Sequence, residues 1–339
     1  MSGYNVAVVG VTGMVGQTVI RVLQERGFPV KGWKLLASSR SVDKKISIGG
    51  VDYPVEEAVP ASFQGIDFAF FSAGGEISEQ LAPEAVKCGA VVVDNSSAFR
   101  MDPEVPLVVP EVNPEAALNH KGLIANPNCS TIQMVVALEP LHRAAGLKRV
   151  VVATYQSVSG AGKEAVDELI AQSEAVLNNK ELVKGRIPYK GAKKHYQIAF
   201  NMVPHIDVFD EDDYTKEEMK MIRETCKIMG IPDLPITATT VRVPSLNGHS
   251  EAINVELNSP LSPQEAREVL AGAPGIVVMD DPEELLYPMP ILTEGKDEVF
   301  VGRIRVDRSV PYGLNMWVVA DNIRKGAATN SIQIAELLI

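Results

Sequence analysis

The chain has 339 residues, 46% of them hydrophobic and 22% charged, the balance of a soluble globular protein long enough to build two cores. Lys+Arg 32 against Asp+Glu 43 leaves a formal net charge of −11, which argues against nucleic acid or an anionic membrane as a partner and leaves any anionic ligand to a few local cations. There is no apolar run of membrane-spanning length and no charged-then-apolar leader, and the odd set Cys88, Cys129 and Cys226 has no metal or disulfide spacing, so a cytoplasmic protein without a metal is expected.

The chain opens with an apolar strand at residues 5–9, followed by Gly10-Val11-Thr12-Gly13-Met14-Val15-Gly16 and a helical stripe of Val15, Val19, Val22 and Leu23. Strand, glycine turn and helix make a phosphate-binding start, with backbone amides and the helix dipole aimed at a pyrophosphate. The spacing is G-x-x-G-x-x-G rather than G-x-G-x-x-G, and an ordinary strand-to-helix turn is the plain alternative. A second strand at 33–37 runs into Ser38-Ser39-Arg40-Ser41. An acid there would favour the ribose hydroxyls of NAD; hydroxyls and an arginine favour the 2′-phosphate of NADP, the alternative being a solvated loop.

Strands at 67–71 and 91–94 end in Ser72-Ala73-Gly74-Gly75 and Asn95-Ser96-Ser97, with a helix at 77–88 between them. This alternation predicts a Rossmann-type α/β domain with a doubly wound parallel sheet, its small residues clustered where a cofactor approaches the strand ends. Arg100 follows the same rim as a candidate anion ligand. A short strand at 122–125 then meets Asn126-Pro127-Asn128-Cys129-Ser130-Thr131 and a helix through Leu138. Ser130 and Gln133 have capping-box spacing, so the helix is expected to begin at about Cys129. A thiol at a helix N-terminus is favoured as thiolate, which makes Cys129 a candidate nucleophile; a buried structural cysteine is the alternative. Cys88 and Cys226 read as packing residues in helices.

Beyond this point the pattern becomes α+β with a mixed sheet. A β-branched strand at 149–155 leads into Gln156-Ser157-Val158-Ser159-Gly160-Ala161-Gly162, and an amphipathic helix follows at 163–178. Residues 180–194 are basic and turn-rich. The helix at 215–229, with Glu217, Glu218 and Lys220, reads as a solvated charged face. Period-2 strands at 237–243 and 251–257 flank an Asn247-Gly248 turn signal, and a hairpin there would set Arg242 beside His249. A site and a bland surface pair weigh equally at that hairpin end. Further strands fall at 299–306 and 313–320, and a closing helix at 323–338 spaces Ile332, Ala335 and Leu338 to pack on something.

These motifs together resemble the aspartate-β-semialdehyde dehydrogenases nearly end to end: the glycine turn at 10–16, Ser96-Ser97-Ala98-Phe99-Arg100, the Cys129 motif, the loop at 156–162, Glu217-Glu218-Met219-Lys220, and Arg242-Val243-Pro244 with Gly248-His249. The resemblance implies an NADP-binding domain over 1–128, a catalytic and dimerisation domain over 129–322, and a final helix, 323–339, that returns to the first. It implies Cys129 as nucleophile, His249 as general acid/base, and Gln156, Glu217 and Arg242 as substrate ligands. Arg100, Asn128 and Lys220 would bind phosphate. Gly10, Thr12, Gly13, Met14, Val15, Ser38, Arg40, Ser41, Ala73, Gly74, Ser159, Gly160 and Asn322 would bind NADP, and the protein would be a homodimer or homotetramer. Two other readings stand beside it: a sister reductase acting on N-acetylglutamyl phosphate, and a catalytically silent NADP-binding paralogue.

Overall fold

The structure, a computed structural model, describes residues 3–339. Its backbone separates into two units, one ending at Asn128 and taking in Ala327–Ile339, the other comprising Cys129–Gly326.

In the first unit β1 (Tyr4–Val9) leads through the glycine turn to α1 (Met14–Glu25) and β2 (Val30–Ala37). β3 (Lys45–Ile48), β4 (Val51–Glu57), β5 (Phe68–Phe71), α2 (Gly75–Lys87), β6 (Val91–Asp94) and β7 (Leu123–Ala125) follow. The seven strands lie in the order β3-β4-β2-β1-β5-β6-β7. All pairings from β4 to β7 are parallel. Val6–Val9 and Phe68–Phe71 are buried throughout, as expected of strands covered on both faces. From β1 the chain winds first toward β2 and then back to β5, so the crevice at this reversal opens above the glycine turn.

The sheet is not purely parallel. β3 and β4 form an antiparallel hairpin on its edge, where no strand was predicted. Gly49 and Gly50 make its turn with φ of 58° and 82°, the left-handed geometry that a two-residue hairpin turn demands.

The second unit opens with α3 (Cys129–Ala145), β8 (Leu147–Gln156), α4 (Lys163–Leu177), α5 (Lys216–Met229), β9 (Ile236–Arg242) and β10 (His249–Leu257). α6 (Pro263–Ala271), β11 (Ile276–Val278), α7 (Pro290–Thr293), β12 (Val299–Asp307) and β13 (Gly313–Ala320) complete it. The mixed sheet has the order β11-β12-β13-β10-β8-β9. This order corrects the predicted hairpin. β9 pairs in parallel with β8, and β8 pairs antiparallel with β10, so β8 lies between the two strands that the Asn-Gly signal seemed to join. Inward residues of β8 and β10 alternate with half-buried ones, and α3 packs against both strands.

The predicted closing helix is shorter and broken. Arg324–Ala328 forms a turn of π-helix before α8 (Thr329–Glu336). Ile332, Ile334 and Ala335 share a core with Val19, Leu23 and Val93, and the Arg26 guanidinium grips Glu336 through Nε at 2.8 Å and Nη2 at 2.6 Å.

Gly10 has φ of +83°, and a Cβ there would lie 2.7 Å from the Ser72 carbonyl oxygen; Gly27 has φ of +66° with open space around it. Gly10→Ala therefore adds a clash to a backbone strain of about 1–3 kcal/mol, whereas Gly27→Ala carries the strain alone. Thermal unfolding of both variants should show the larger loss for Gly10→Ala; equal losses would mean that the β1–β5 crevice yields to a methyl group.

Candidate active site

The residues expected around the nucleophile gather in the second unit at the ends of β8, β9 and β10. Gln156 ends β8 in register with Arg242 at the end of β9, and His249 begins β10. The backbone joins these ends: Val243 N–H donates to the Gln156 carbonyl at 3.0 Å, and Val158 N–H to the Ser245 carbonyl at 2.9 Å. Arg242 and His249 are thus neighbours, as predicted, but through β8 and its loop rather than through a shared turn. A Cβ on Gly160 would stand 3.1 Å from Arg242 Nη1 and 3.2 Å from His249 Nε2. Glycine at that position lets the loop close over both side chains.

His249 is fully buried. Its Nδ1 lies 3.1 Å from the Ser157 backbone nitrogen. A backbone N–H can only donate, so Nδ1 accepts, and the neutral ring carries its proton on Nε2. That Nε2 is buried and has no protein partner. Burial first, and then the Arg242 charge, push the imidazole down to about 3, so the ring is neutral near pH 7. Ser157 belonged to a predicted motif but had no predicted role; only the fold reveals it as the group that sets the tautomer.

Arg242 is also buried, and its Nη1 donates to the Ser157 carbonyl at 2.7 Å. Burial pushes the guanidinium down from its ordinary value, while Glu217 and Cys129 draw it back up. Its Nε is buried without a partner. Nε and Nη2 form the planar edge of a guanidinium that takes a carboxylate with two parallel hydrogen bonds.

Cys129 is the first residue of α3. A Cβ on Gly326 would lie 2.8 Å from the Cys129 Cβ, so the π-helical turn must pass Cys129 as bare backbone. No sequence signal pointed to Gly326. The predicted capping box does not form. Gln133 Oε1 has no partner, and its Nε2 instead donates to the His249 carbonyl at 3.3 Å.

α5 supplies Glu217 and Lys220. Gln156 Nε2 donates to Glu217 Oε1 at 3.1 Å, and Lys220 Nζ to Glu217 Oε2 at 3.1 Å and Asp207 Oδ2 at 2.8 Å. Burial opposes the Lys220 charge, but Glu217 and Asp207 outweigh it and raise its pKa. Glu217 and Glu218 are buried, which corrects the solvated face expected of this helix. Asn322 ties the loops together. Its Oδ1 accepts from Gly248 N–H at 2.9 Å and Ser157 Oγ at 3.1 Å, and its Nδ2 donates to Ser159 Oγ at 3.0 Å.

In the first unit Gly10 and Val11 N–H both bond the Leu36 carbonyl, which brings the glycine turn to the end of β2. Ser38 and Arg40 lie exposed on the following turn, with Ser41 buried beneath it. Thr12, Gly13, Met14 and Val15 run into α1, whose N-terminus has no side-chain cap and no acid in its first turn. Gly10 abuts Ser72 and Ala73, and Gly74 has φ of +94° at the start of α2. A bare helix start flanked by glycines fits a dinucleotide pyrophosphate. Arg100 is buried, its Nε donating to the Asn126 carbonyl at 2.9 Å and its Nη2 to the Asn95 carbonyl at 2.8 Å; Asn128 is buried as well. Among the described residues no cluster of metal-binding side chains occurs, and no helix is long and apolar enough to cross a membrane.

Sequence profiles place the chain in a class: residues 5–120 match the semialdehyde dehydrogenase NAD binding domain and residues 138–325 the semialdehyde dehydrogenase dimerisation domain. The chain is 58% identical to the aspartate-semialdehyde dehydrogenase of Aquifex aeolicus, over 99% of this chain and 98% of that one. Its fold matches the crystal structure of aspartate semialdehyde dehydrogenase II from Vibrio cholerae complexed with ASA, with TM-score 0.94 and 47% identity over 100% and 98% of the two chains. It also matches the enzyme from Candida albicans with NADP, with TM-score 0.76 and 27% identity over 99% and 98%. The chain belongs to the aspartate-semialdehyde dehydrogenase family. These relatives favour neither the N-acetylglutamyl-phosphate reductase nor the silent paralogue.

Because His249 is neutral when folded and charges when unfolded, the unfolded state binds the extra proton between pH 6.5 and about 3. Stability from this group is complete above pH 6.5 and is lost as pH falls through that window, by at most about 1.4 kcal/mol per pH unit. Denaturant titrations of the intact protein and His249→Gln should differ in slope across this window and run parallel above it. Parallel curves throughout would show that the imidazole is not held neutral.

Proposed function

We propose that this chain catalyses the reversible conversion of β-aspartyl phosphate to L-aspartate 4-semialdehyde and phosphate, with NADP(H), through a thioester on Cys129. The observation that carries this reading is a pair of buried donors, Arg242 Nε and His249 Nε2, each without a protein partner, with Arg242 in the electrostatic reach of Cys129. A fixed cation grips a substrate carboxylate, and an Nε2–H faces the oxygen that becomes anionic when sulfur adds to a carbonyl.

In the biosynthetic direction Cys129 attacks the acyl phosphate and phosphate leaves. Thiolate suits both halves of the reaction, being a strong nucleophile and later a good leaving group. NADPH, when held there, would supply the hydride for reduction of the thioester. His249 gives its Nε2 hydrogen bond to the resulting oxyanion, and the adduct collapses to the aldehyde as sulfur departs. With Nδ1 committed to Ser157 N–H, the neutral ring donates a hydrogen bond through Nε2 and neither gains nor loses a proton. The ring therefore serves in both directions as a donor to the same oxygen.

Arg242 holds the α-carboxylate, Glu217 the α-amino group, and Gln156 the substrate beside the thiol. Arg100, Asn128 and Lys220 hold the phosphate. Thr12 to Val15, with Gly10, Ala73, Gly74, Ser159, Gly160 and Asn322, receive the dinucleotide. Ser38, Arg40 and Ser41 favour NADP over NAD, since the turn after β2 offers hydroxyls and a guanidinium to a 2′-phosphate. The enzyme works in the cytoplasm, in keeping with three cysteines that form no disulfide, and supplies amino-acid biosynthesis. It assembles as a homodimer through the second unit. Ala153, Tyr155, Ala252 and Trp317, register neighbours on one face of that unit's sheet, are half-buried, a face suited to a second copy.

The deciding assay supplies aspartate semialdehyde and NADP with and without phosphate. NADPH should form only with phosphate, and Cys129→Ser should retain NADP binding while turnover nearly vanishes. Incubating the intact enzyme with the acyl phosphate alone should add an aspartyl mass to the Cys129 peptide; an adduct on Cys88 or Cys226 would refute the assignment.

Cofactor choice has its own test. Arg40→Ala should weaken NADP binding about ten- to a hundredfold, the loss of one charge-assisted contact, and leave NAD binding nearly unchanged. Equal use of NAD and NADP by the unaltered protein would overturn the preference.

A further inference from the structure

Glu251 lies two residues beyond His249 on β10, fully buried. It faces Thr154 across β8 and Val318 across β13, and the Gln133 side chain of α3 lies against it. Neither carboxyl oxygen has a hydrogen-bonded partner, and no ion pair reaches it from its own strand or from those elements among the described residues. An ionised carboxylate so placed would be a bare charge in a dry core, which costs far more than giving up the charge. Burial raises its pKa well above the usual carboxylate range, with Gln133 the only opposing influence.

A second deficit sits beside the first. Gln133 Oε1 is buried and lacks a donor, while Gln133 Nε2 donates to the His249 carbonyl at 3.3 Å. One proton on Glu251 removes its charge and lets two of these three oxygens pair: the acid donates O–H to Gln133 Oε1, and Gln133 gives its own N–H to the His249 carbonyl. Gln133 is one helical turn beyond Cys129 on α3, so its side chain ties the nucleophile's helix to the strand end that carries the imidazole.

We propose that Glu251 is a positioning residue held as a neutral carboxylic acid, which through Gln133 fixes the distance between His249 and Cys129. This rests on the reaction assigned above. It accounts for an acid in the core where an apolar residue would be cheaper. A leucine could fill the space but could not orient the Gln133 amide, which would then be able to flip and release the His249 carbonyl.

The test compares Glu251→Gln, Glu251→Leu, Gln133→Leu and the Glu251→Leu/Gln133→Leu pair. Glu251→Gln keeps a neutral donor and should retain kcat within about threefold. Glu251→Leu should lower kcat about tenfold or more, with KM for aspartate semialdehyde nearly unchanged, because the bound substrate is unaltered and only the reacting groups are misplaced. Gln133→Leu should do the same, and the pair should be no worse than either alone, as for two members of one chain of hydrogen bonds. Independently of activity, the infrared spectrum at pH 8 should show a protonated-carboxyl stretch that Glu251→Gln removes. If the intact protein shows no phosphate-dependent NADPH formation, the assigned reaction fails while the infrared band still decides the state of Glu251. The proposal is overturned by absence of that band, by full kcat in Glu251→Leu, or by a Glu251→Gln variant as impaired as Glu251→Leu.

Discussion

A guanidinium and an imidazole held side by side out of water are the constraint on which the second unit turns. Each would be more stable in solvent: burial lowers the affinity of both for a proton, and the Arg242 charge lowers that of His249 further. The fold meets this cost with fixed dipoles and one counter-charge. The Ser157 peptide serves both groups, its carbonyl accepting from Arg242 and its N–H donating to His249. Glu217 balances the guanidinium and is itself held by Gln156 and Lys220. The backbone of one residue can do this only if the loop after β8 runs between the ends of β9 and β10. The crossed strand order follows from that need, since a simple β9–β10 hairpin would leave no backbone between the two side chains.

This explains how sequence reading found the right neighbours by a wrong route. Alternation of apolar residues identifies strands, and an Asn-Gly pair identifies a turn, but neither states which strands share hydrogen bonds. Consecutive strands are usually adjacent; here β8 had already taken the place between them. Around Cys129 the information is local, a strand end followed by a helix start, and there the prediction and the fold coincide on the helix beginning. The hairpin at 45–57 was missed because its Gly49-Gly50 turn lies between a charged run and a strand interrupted by Pro54, features that mask period-2 alternation. Sequence also could not show Ser157, Gln133 or Gly326 as parts of the site. Their roles depend on what the chain brings beside them from far along the sequence.

The charged helix α5 shows a different limit of pattern reading. Its acids and bases look alike in sequence, yet they divide by face. Glu218 turns inward to close a capping box with Thr215, and its other oxygen accepts from Thr240 N–H at 2.9 Å. Glu217 turns inward toward Gln156. Lys216 and Arg223 lie on the outer side, with Arg223 only loosely approached by Asp210 and Glu211 at 4.0 and 3.9 Å. Pairs that long and that exposed contribute little. Glu217 is bonded by Gln156 and Lys220 and Glu218 by Thr215 and Thr240, and those connections set where the helix lies on the sheet.

Counting charge in the proposed site gives a reason for its choice of substrate. Arg242 and Lys220 are balanced by Glu217 and Asp207, so these side chains sum to zero without a ligand. An incoming carboxylate alone would leave Glu217 facing uncompensated negative charge, and an incoming ammonium alone would leave Arg242 facing uncompensated positive charge. A zwitterion adds one charge of each sign and keeps the sum at zero, with each end beside its opposite. His249 joins this balance by being neutral, and Glu251, as a protonated acid, joins it in the same way. Were either to ionise, the pocket would gain a net charge in a medium that screens it poorly, and the oxygen that must become anionic would meet an altered field. Selection for an amino acid therefore depends on the buried residues that carry no charge as well as on the two that do.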